Sequence, residues 1–139
     1  MSDDALSAED ERRIREIFDT IPYIKHLGIQ LGEIKRGTAT LHLEISDDLK
    51  RNNGVVHGGA VASLVDTAAA FAIMTTLEPG ETTTTIDLTI HFLRPIRGRA
   101  VADARVVRAG RRVSVIAIEV VDEAKLVAAT ALTSFIKQA

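Results

Sequence analysis

The sequence predicts one α+β domain in which a long apolar helix is wrapped by a curved antiparallel sheet. Residues 58–77 are apolar almost all round, which is typical of a buried helix. Most other segments alternate apolar and polar residues with a period of two, as half-buried strands do. A chain of 139 residues, 46% of them apolar, has the size and core of a single domain. We therefore treat residues 1–139 as one domain, with residues 1–22 as an N-terminal helical extension.

The first predicted element is an amphipathic helix over residues 8–20. Ser7 precedes it and acidic residues fill its first turn, and both features stabilise the start of a helix. The apolar residues that recur at helical spacing are Ile14, Ile17, Phe18 and Ile21. We expect Pro22 to end this helix, and residues 23–28 are too few to assign.

Alternation then predicts a hairpin, with strands at residues 29–35 and 38–45 around Arg36-Gly37. A polar loop over residues 46–56 leads into the buried helix, which Glu78-Pro79-Gly80 stops. The rest of the chain predicts four strands, at residues 85–92, 99–108, 112–121 and 126–137. In the first of these, the predicted buried face carries Ile86, Leu88, Ile90 and Phe92, and the opposite face carries Thr85, Asp87, Thr89 and His91.

The charges are balanced in total but unevenly placed. The formal net charge is −2, which argues against a nucleic-acid or membrane partner. Residues 3–11 carry five acids and no base, whereas residues 94–112 hold seven arginines and the single acid Asp103. This locally basic stretch predicts a small polyanionic ligand, and a solvated strand face is the alternative.

Composition also restricts the compartment and the chemistry. The chain has no cysteine, which excludes disulfides, a thiol nucleophile and cysteine-ligated metals. It shows neither a basic start followed by an apolar run nor the ~18 consecutive apolar residues of a membrane helix. The cytoplasm is therefore the expected compartment.

Asp66 interrupts the apolar helix and is the first candidate for chemistry. A buried carboxylate is costly unless it is paired or lies in a cleft. One interpretation is a hydrogen bond to a neighbouring strand hydroxyl, and the other is a carboxylate that moves protons in a dry cleft. Gly58-Gly59 opens the same helix, where free N–H groups can bind a ligand oxygen as an oxyanion hole does. Gly59 and Asp66 are separated by ~10 Å along the axis, so the spacing favours a site shared by two subunits.

The histidines give no metal motif. His57 precedes the glycine pair, and a helix cap or a satisfied loop histidine explains it as well as a functional role does. His26, His42 and His91 are scattered without the spacing of metal ligands. A Gly-x-Ser-x-Gly nucleophile elbow is also missing from the sequence. We therefore expect neither a metal nor a serine triad.

The run around the glycine pair resembles a known family. It reads Asn52-Asn53-Gly54-Val55-Val56-His57-Gly58-Gly59-Ala60 and continues to Asp66. It is similar to the signature of the hotdog-fold acyl-CoA thioesterases, in particular the subgroup of the phenylacetate-pathway thioesterase. The resemblance extends over residues 24–136, and it implies homodimers, paired into dimers of dimers, with active sites at the dimer interface.

The resemblance also implies roles for individual residues. Asp66 would be the general base or the nucleophile, the Gly58 N–H would polarise the thioester carbonyl, and His57 would shape that site. Thr85 matches a position whose hydroxyl orients the attacking water. The family often has Asn or Gln six residues before the histidine, where this chain has Arg51. Asn52 or Asn53 would then supply the amide.

The expected substrate is an acyl-CoA, so coenzyme A is part of the substrate and no cofactor is required. The predicted substrate-binding residues are Gly59 of the glycine pair, Leu64 and Val65, which would line the acyl pocket, and, for the phosphates, Arg94, Arg97, Arg108, Arg111 and Arg112. A carrier-protein thioester is an alternative substrate. A hotdog hydratase or dehydratase and a non-catalytic acyl-CoA-binding protein are the alternative functions.

Overall fold

The computed structural model describes residues 4–138, so the predicted acid Asp3 lies outside the described part. The helices are α1 (Ala8–Asp19), α2 (Pro22–Leu27) and α3 (Gly58–Met74). The strands are β1 (Ile29–Lys35), β2 (Thr38–Glu44), β3 (Thr82–Phe92), β4 (Arg99–Ala109), β5 (Val113–Val121) and β6 (Val127–Gln138). Within these residues, no helix combines the length and the apolar character needed to cross a membrane.

The six strands form one antiparallel sheet in the order β1-β2-β4-β5-β6-β3. Helix α3 packs on one face of this sheet and contacts β2, β3, β4 and β5. Apolar side chains that alternate along the strands meet those of α3 in a shared core. This arrangement confirms the predicted α+β fold with one central helix. The hairpin of β1 and β2 also lies where alternation predicts it.

Two helices, rather than the one predicted, precede β1. α1 has the predicted N-cap, because the Ser7 hydroxyl accepts a hydrogen bond from the Asp10 N–H. Its Phe18 ring meets Phe71 of α3 edge to face, with ring centroids 5.1 Å apart. Pro22 does not merely end α1. It opens α2, because the first turn of a helix tolerates a residue without an N–H.

Helix α3 is shorter and less completely covered than its composition predicts. It ends at Met74 rather than at residue 77. Thr75 is its C-cap, and the buried Thr75 hydroxyl donates to the Ala72 carbonyl of the last turn. The side of α3 away from the sheet stays partly open. The half-buried residues on it include Ala62, Ser63, Asp66, Thr67 and Ala70.

Strand β3 departs from strict alternation. Thr85 pairs with Phe135 of β6 and Asp87 pairs with Ser134, so Ile86 is an extra residue that forms a bulge. The bulge corrects the predicted faces of this strand. Ile86 is 53% exposed instead of buried. Thr85 consequently lies on the α3 side of the sheet, together with Leu88.

Candidate active site

Asp66 and Thr85 form the centre of the candidate site. Asp66 lies on the open side of α3, and the Thr85 hydroxyl donates a 2.8 Å hydrogen bond to its Oδ1. This bond matches the strand-hydroxyl interpretation of the buried acid. It also leaves chemistry available, because Oδ2 has no hydrogen-bond partner among residues 4–138. A half-buried carboxylate with one oxygen fixed and the other free can accept a proton from a bound water.

The start of α3 carries the second part of the site. His57 is the N-cap, and its Nδ1 accepts a 2.8 Å hydrogen bond from the Gly59 N–H. Nδ1 must therefore be unprotonated, which places the proton of the neutral ring on Nε2. The Gly58 N–H, in contrast, has no acceptor in the described part of the chain. It is the donor that remains for a ligand oxygen at the positive end of the helix.

An apolar cavity of about 370 Å³ opens beside Gly58. Its apolar walls include Val55, Val56, Val61, Phe92, Leu93 and Ile96. The ring of Phe92 lies against the Cα of Gly58, on the side where any other residue would carry its Cβ. Arg51 and Arg94 also line the cavity. An apolar pocket with two arginines at its wall suits a ligand that has an apolar end and an anionic end.

One chain does not bring the two parts of the site together. Gly58 and Asp66 are eight residues apart on α3, which corresponds to ~12 Å along the helix axis. A substrate carbonyl bound to the Gly58 N–H is therefore out of reach of Asp66 in the same chain.

The loop before α3 holds the predicted amides in exposed positions. The Arg51 N–H donates to the Val55 carbonyl at 2.7 Å and closes a tight turn around Asn52 and Asn53. Asn53 accepts a long 3.4 Å hydrogen bond from the Val55 N–H, whereas Asn52 has no bond within residues 4–138. Of these loop residues, the cavity is lined by Arg51 rather than by either amide.

The arginine-rich stretch is divided between opposite ends of the sheet. Arg94 and Arg97 lie between β3 and β4, near the start of α3, and Arg94 pairs with Asp122 at 3.9 Å. Of the other predicted phosphate ligands, Arg108 lies near the end of β4, and Arg111 and Arg112 lie in the turn between β4 and β5. The two ends of β4 are ~30 Å apart at the rise of an antiparallel strand. The arginines are close in the sequence but distant in space, because strand β4 runs from one end of the sheet to the other between them.

Two further predicted residues lie in the core. Leu64 and Val65 have no exposed surface and face the sheet, so they do not line the cavity in this chain. Gly59 lies exposed on the open side of α3. Within residues 4–138, no three acidic or histidine side chains are grouped so that they could hold a metal ion.

Sequence reasoning missed Tyr23, which α2 places on the open side of α3. Its hydroxyl lies 2.8 Å from the Ser63 hydroxyl, one helical turn from Asp66. The Ser63 proton is already donated to the Gly59 carbonyl, so Tyr23 is the donor in this pair. The sequence did contain one signal for a polar contact here: Gly59, Ser63 and Asp66 recur at helical spacing and so lie on one face of the helix.

Comparison with known proteins shows the family of this chain. The thioesterase superfamily model matches residues 53–129, which include the start of α3 and Asp66. A Halobacterium salinarum protein named "Putative esterase" is 35% identical over 116 residues, which cover 80% of this chain and 77% of that protein. The medium/long-chain acyl-CoA thioesterase YigI of Escherichia coli K12 is 30% identical over 131 residues, covering 83% and 84% of the two chains.

Solved structures give the same result. The Escherichia coli PaaI protein from the phenylacetic acid degradation operon superposes with a TM-score of 0.89 and 25% sequence identity, and the match covers 97% of both chains. The family match, the fold and the arrangement around Asp66 lead to one conclusion. The chain belongs to the thioesterase superfamily and is a thioester hydrolase with the hotdog fold.

Proposed function

We propose that this protein hydrolyses a small or medium-chain acyl-CoA, aliphatic or aromatic, to the free acid and coenzyme A. The observation that carries the proposal is the Asp66 carboxylate, which Thr85 holds by one oxygen on the open side of α3. The relatives named as medium/long-chain acyl-CoA thioesterases support a coenzyme A ester. The apolar cavity beside Gly58 supports an apolar acyl or pantetheine segment.

In the proposed reaction, Asp66 acts as a general base. Its free oxygen accepts a proton from a water molecule while the oxygen of that water forms a bond to the thioester carbon. The carbonyl electrons move onto the carbonyl oxygen, and the tetrahedral intermediate then expels the thiolate as the C–S bond breaks. The protonated Asp66 returns its proton to the sulfur, so the reaction consumes one water and needs no cofactor.

The Gly58 N–H is the proposed donor to the carbonyl oxygen. It points away from the rest of the helix, and the positive end of α3 favours the negative charge that develops on that oxygen. Because Gly58 and Asp66 of one chain are ~12 Å apart, the proposed site combines Asp66 of one subunit with Gly58 of another.

The edge of the sheet supplies a surface for this pairing. Among the described strands, β3 pairs with β6 on one side and has no neighbour on the other. Such an edge exposes backbone N–H and C=O groups that a second strand can pair with. Ile86 and Phe92 on β3 are each more than half exposed. We therefore propose a homodimer joined near β3, and a dimer of such dimers.

Arginines near the cavity are the proposed ligands of the coenzyme A phosphates. Arg51 and Arg94 line the cavity, and the Arg97 guanidinium lies beside Gly54 in the adjoining loop. Arg51 and Arg97 form no ion pair within residues 4–138. Phosphate oxygens would satisfy these guanidinium groups.

The test is thiol release from a panel of acetyl-, butyryl-, hexanoyl-, octanoyl- and benzoyl-CoA. We expect turnover of at least one member, and a loss of kcat of about 10²–10⁴-fold in Asp66→Asn, because the amide cannot accept the proton. Asp103→Asn is the matched control, since this Asp lies on the outer face of the sheet and hydrogen-bonds Thr40. Binding of acyl-CoA without thiol release from any member would refute the proposal, and so would an unchanged kcat in Asp66→Asn.

A single turnover in ¹⁸O-labelled water tests the role of Asp66. As a general base, Asp66 leaves the label in the released acid. Label recovered in the Asp66 side chain would instead identify an acyl-aspartyl anhydride, which forms when the carboxylate displaces the thiolate and which water then opens at the aspartyl carbon.

A further inference from the structure

The hydrogen bond between Thr85 and Asp66 depends on the bulge in β3. Thr85 and Leu88 are an odd number of residues apart, so regular alternation would direct them to opposite faces. The extra residue Ile86 changes the phase of the strand and brings both side chains to the α3 side. Without the bulge, the Thr85 hydroxyl would point away from Asp66.

The bulge opposes the hydrophobic effect. It leaves the Ile86 side chain 53% exposed, whereas a regular strand would turn it toward the core. In a single subunit, before a partner covers Ile86 in the proposed dimer, interactions within the chain must therefore stabilise the bulge against the regular register.

Two side chains supply these interactions. The Asp87 Oδ1 accepts a 3.1 Å hydrogen bond from the Ser134 N–H of β6. The Thr133 hydroxyl, which is fully buried, donates a 2.6 Å bond to the Asp87 carbonyl. Together they satisfy backbone groups that the bulge removes from the regular ladder between the two strands.

We infer that Asp87 and Thr133 are positioning residues for thioester hydrolysis, which act through the bulge to hold Thr85 on Asp66. The inference rests on the proposed function. Neither side chain reaches the site: Asp87 lies on the outer face of the sheet, and Thr133 is enclosed in the core. Their contribution is to the orientation of the Asp66 carboxylate and of the water beside it.

The test compares kcat and KM of Asp87→Ala and Asp87→Asn on the best acyl-CoA of the panel. We expect kcat to fall by about 10²-fold in Asp87→Ala, with KM changed by less than ~3-fold, because the carboxylate is misplaced while the binding surfaces remain. Asp87→Asn keeps the Oδ1 acceptor and is expected to restore kcat. Thr133→Val and Thr133→Ser form a second pair, in which the serine keeps the hydroxyl.

A double variant separates positioning from a general loss of stability. If Asp87 acts through Thr85, adding Asp87→Ala to Thr85→Ala lowers kcat no further, whereas independent effects multiply. Asp103→Ala, another outer-face aspartate with a hydrogen-bonded partner, is expected to keep wild-type kcat. The inference would be overturned if the losses of kcat from Asp87→Ala and Thr85→Ala multiplied in the double variant, or if Asp87→Ala alone had wild-type kcat. If Asp66→Asn is inactive but Thr85→Ala is not, this inference fails and the proposed function stands.

Discussion

At the first turn of α3, one imidazole distinguishes two adjacent glycines. His57 accepts from the Gly59 N–H, so the Gly58 N–H is the one that the proposed site uses as the donor to the substrate oxygen. A Cβ at Gly58 would lie 3.5–3.9 Å from the Phe92 ring, which is ordinary contact. The position therefore accepts a side chain, and the role of the N–H can be separated from the role of the small size.

Gly58→Pro is expected to lower kcat/KM by about 10²–10³-fold, because it removes the proposed carbonyl donor. The helix should survive, since Pro is favourable at the first helical position and His57 before it is already extended (ψ 136°). Gly58→Ala keeps the N–H and should lose far less activity. Steady-state kinetics with circular dichroism measure both effects, and equal losses in the two variants would contradict the assignment.

At the scale of elements, Thr75 joins the end of α3 to the hairpin of β1 and β2. Its hydroxyl donates to the Ala72 carbonyl and accepts a 2.7 Å bond from the Gly37 N–H at the hairpin turn. We expect Thr75→Val to destabilise the fold by ~1–3 kcal/mol, because it leaves the Gly37 N–H without an acceptor. Thr75→Ser keeps the hydroxyl and is the control. Urea unfolding measures the difference, and equal stability of the two variants would refute the coupling.

Most elements could be predicted because their patterns are local. The alternation in β2 follows from residues that face a single core, and α3 follows from its length and apolar composition. The bulge at Ile86 could not be predicted, since it depends on bonds from β6 that have no signature within β3 itself. α2 was missed because six residues are too few to show a helical period.

The candidate site was predictable in parts. Asp66 was evident as an acid in an apolar helix, and the glycine pair as a break before it. The spatial division of the arginines was not evident, because composition along the chain does not show that β4 separates Arg97 from Arg108. The contact of Tyr23 with Ser63 joins elements that are 40 residues apart, and it required the fold.

At the scale of the whole molecule, the distance between Gly58 and Asp66 predicts complementation between two inactive subunits. In a mixed dimer of Gly58→Pro and Asp66→Asn, one site combines both defects and the other combines the intact residues of each chain. Random mixing should therefore restore ~25% of wild-type specific activity, because half of the dimers are mixed and each has one intact site. Coexpression with two affinity tags measures this. No recovery in purified mixed dimers would place both residues of a site in one chain.

The pairing of β3 with β6 also affects the order in which the chain folds during synthesis. β3 is the third strand along the chain but has no neighbour in the sheet until β6, the last strand, is in place. During synthesis, the segment that carries Thr85 therefore cannot pair in the sheet until the residues of β6 have left the ribosome. The pairing of β3 with β6 therefore orders both the β3 edge of the sheet and the Thr85 hydroxyl that donates to Asp66. A chain that extends only as far as β5 accordingly lacks both the ordered β3 edge of the proposed dimer and the strand that holds Thr85 on Asp66.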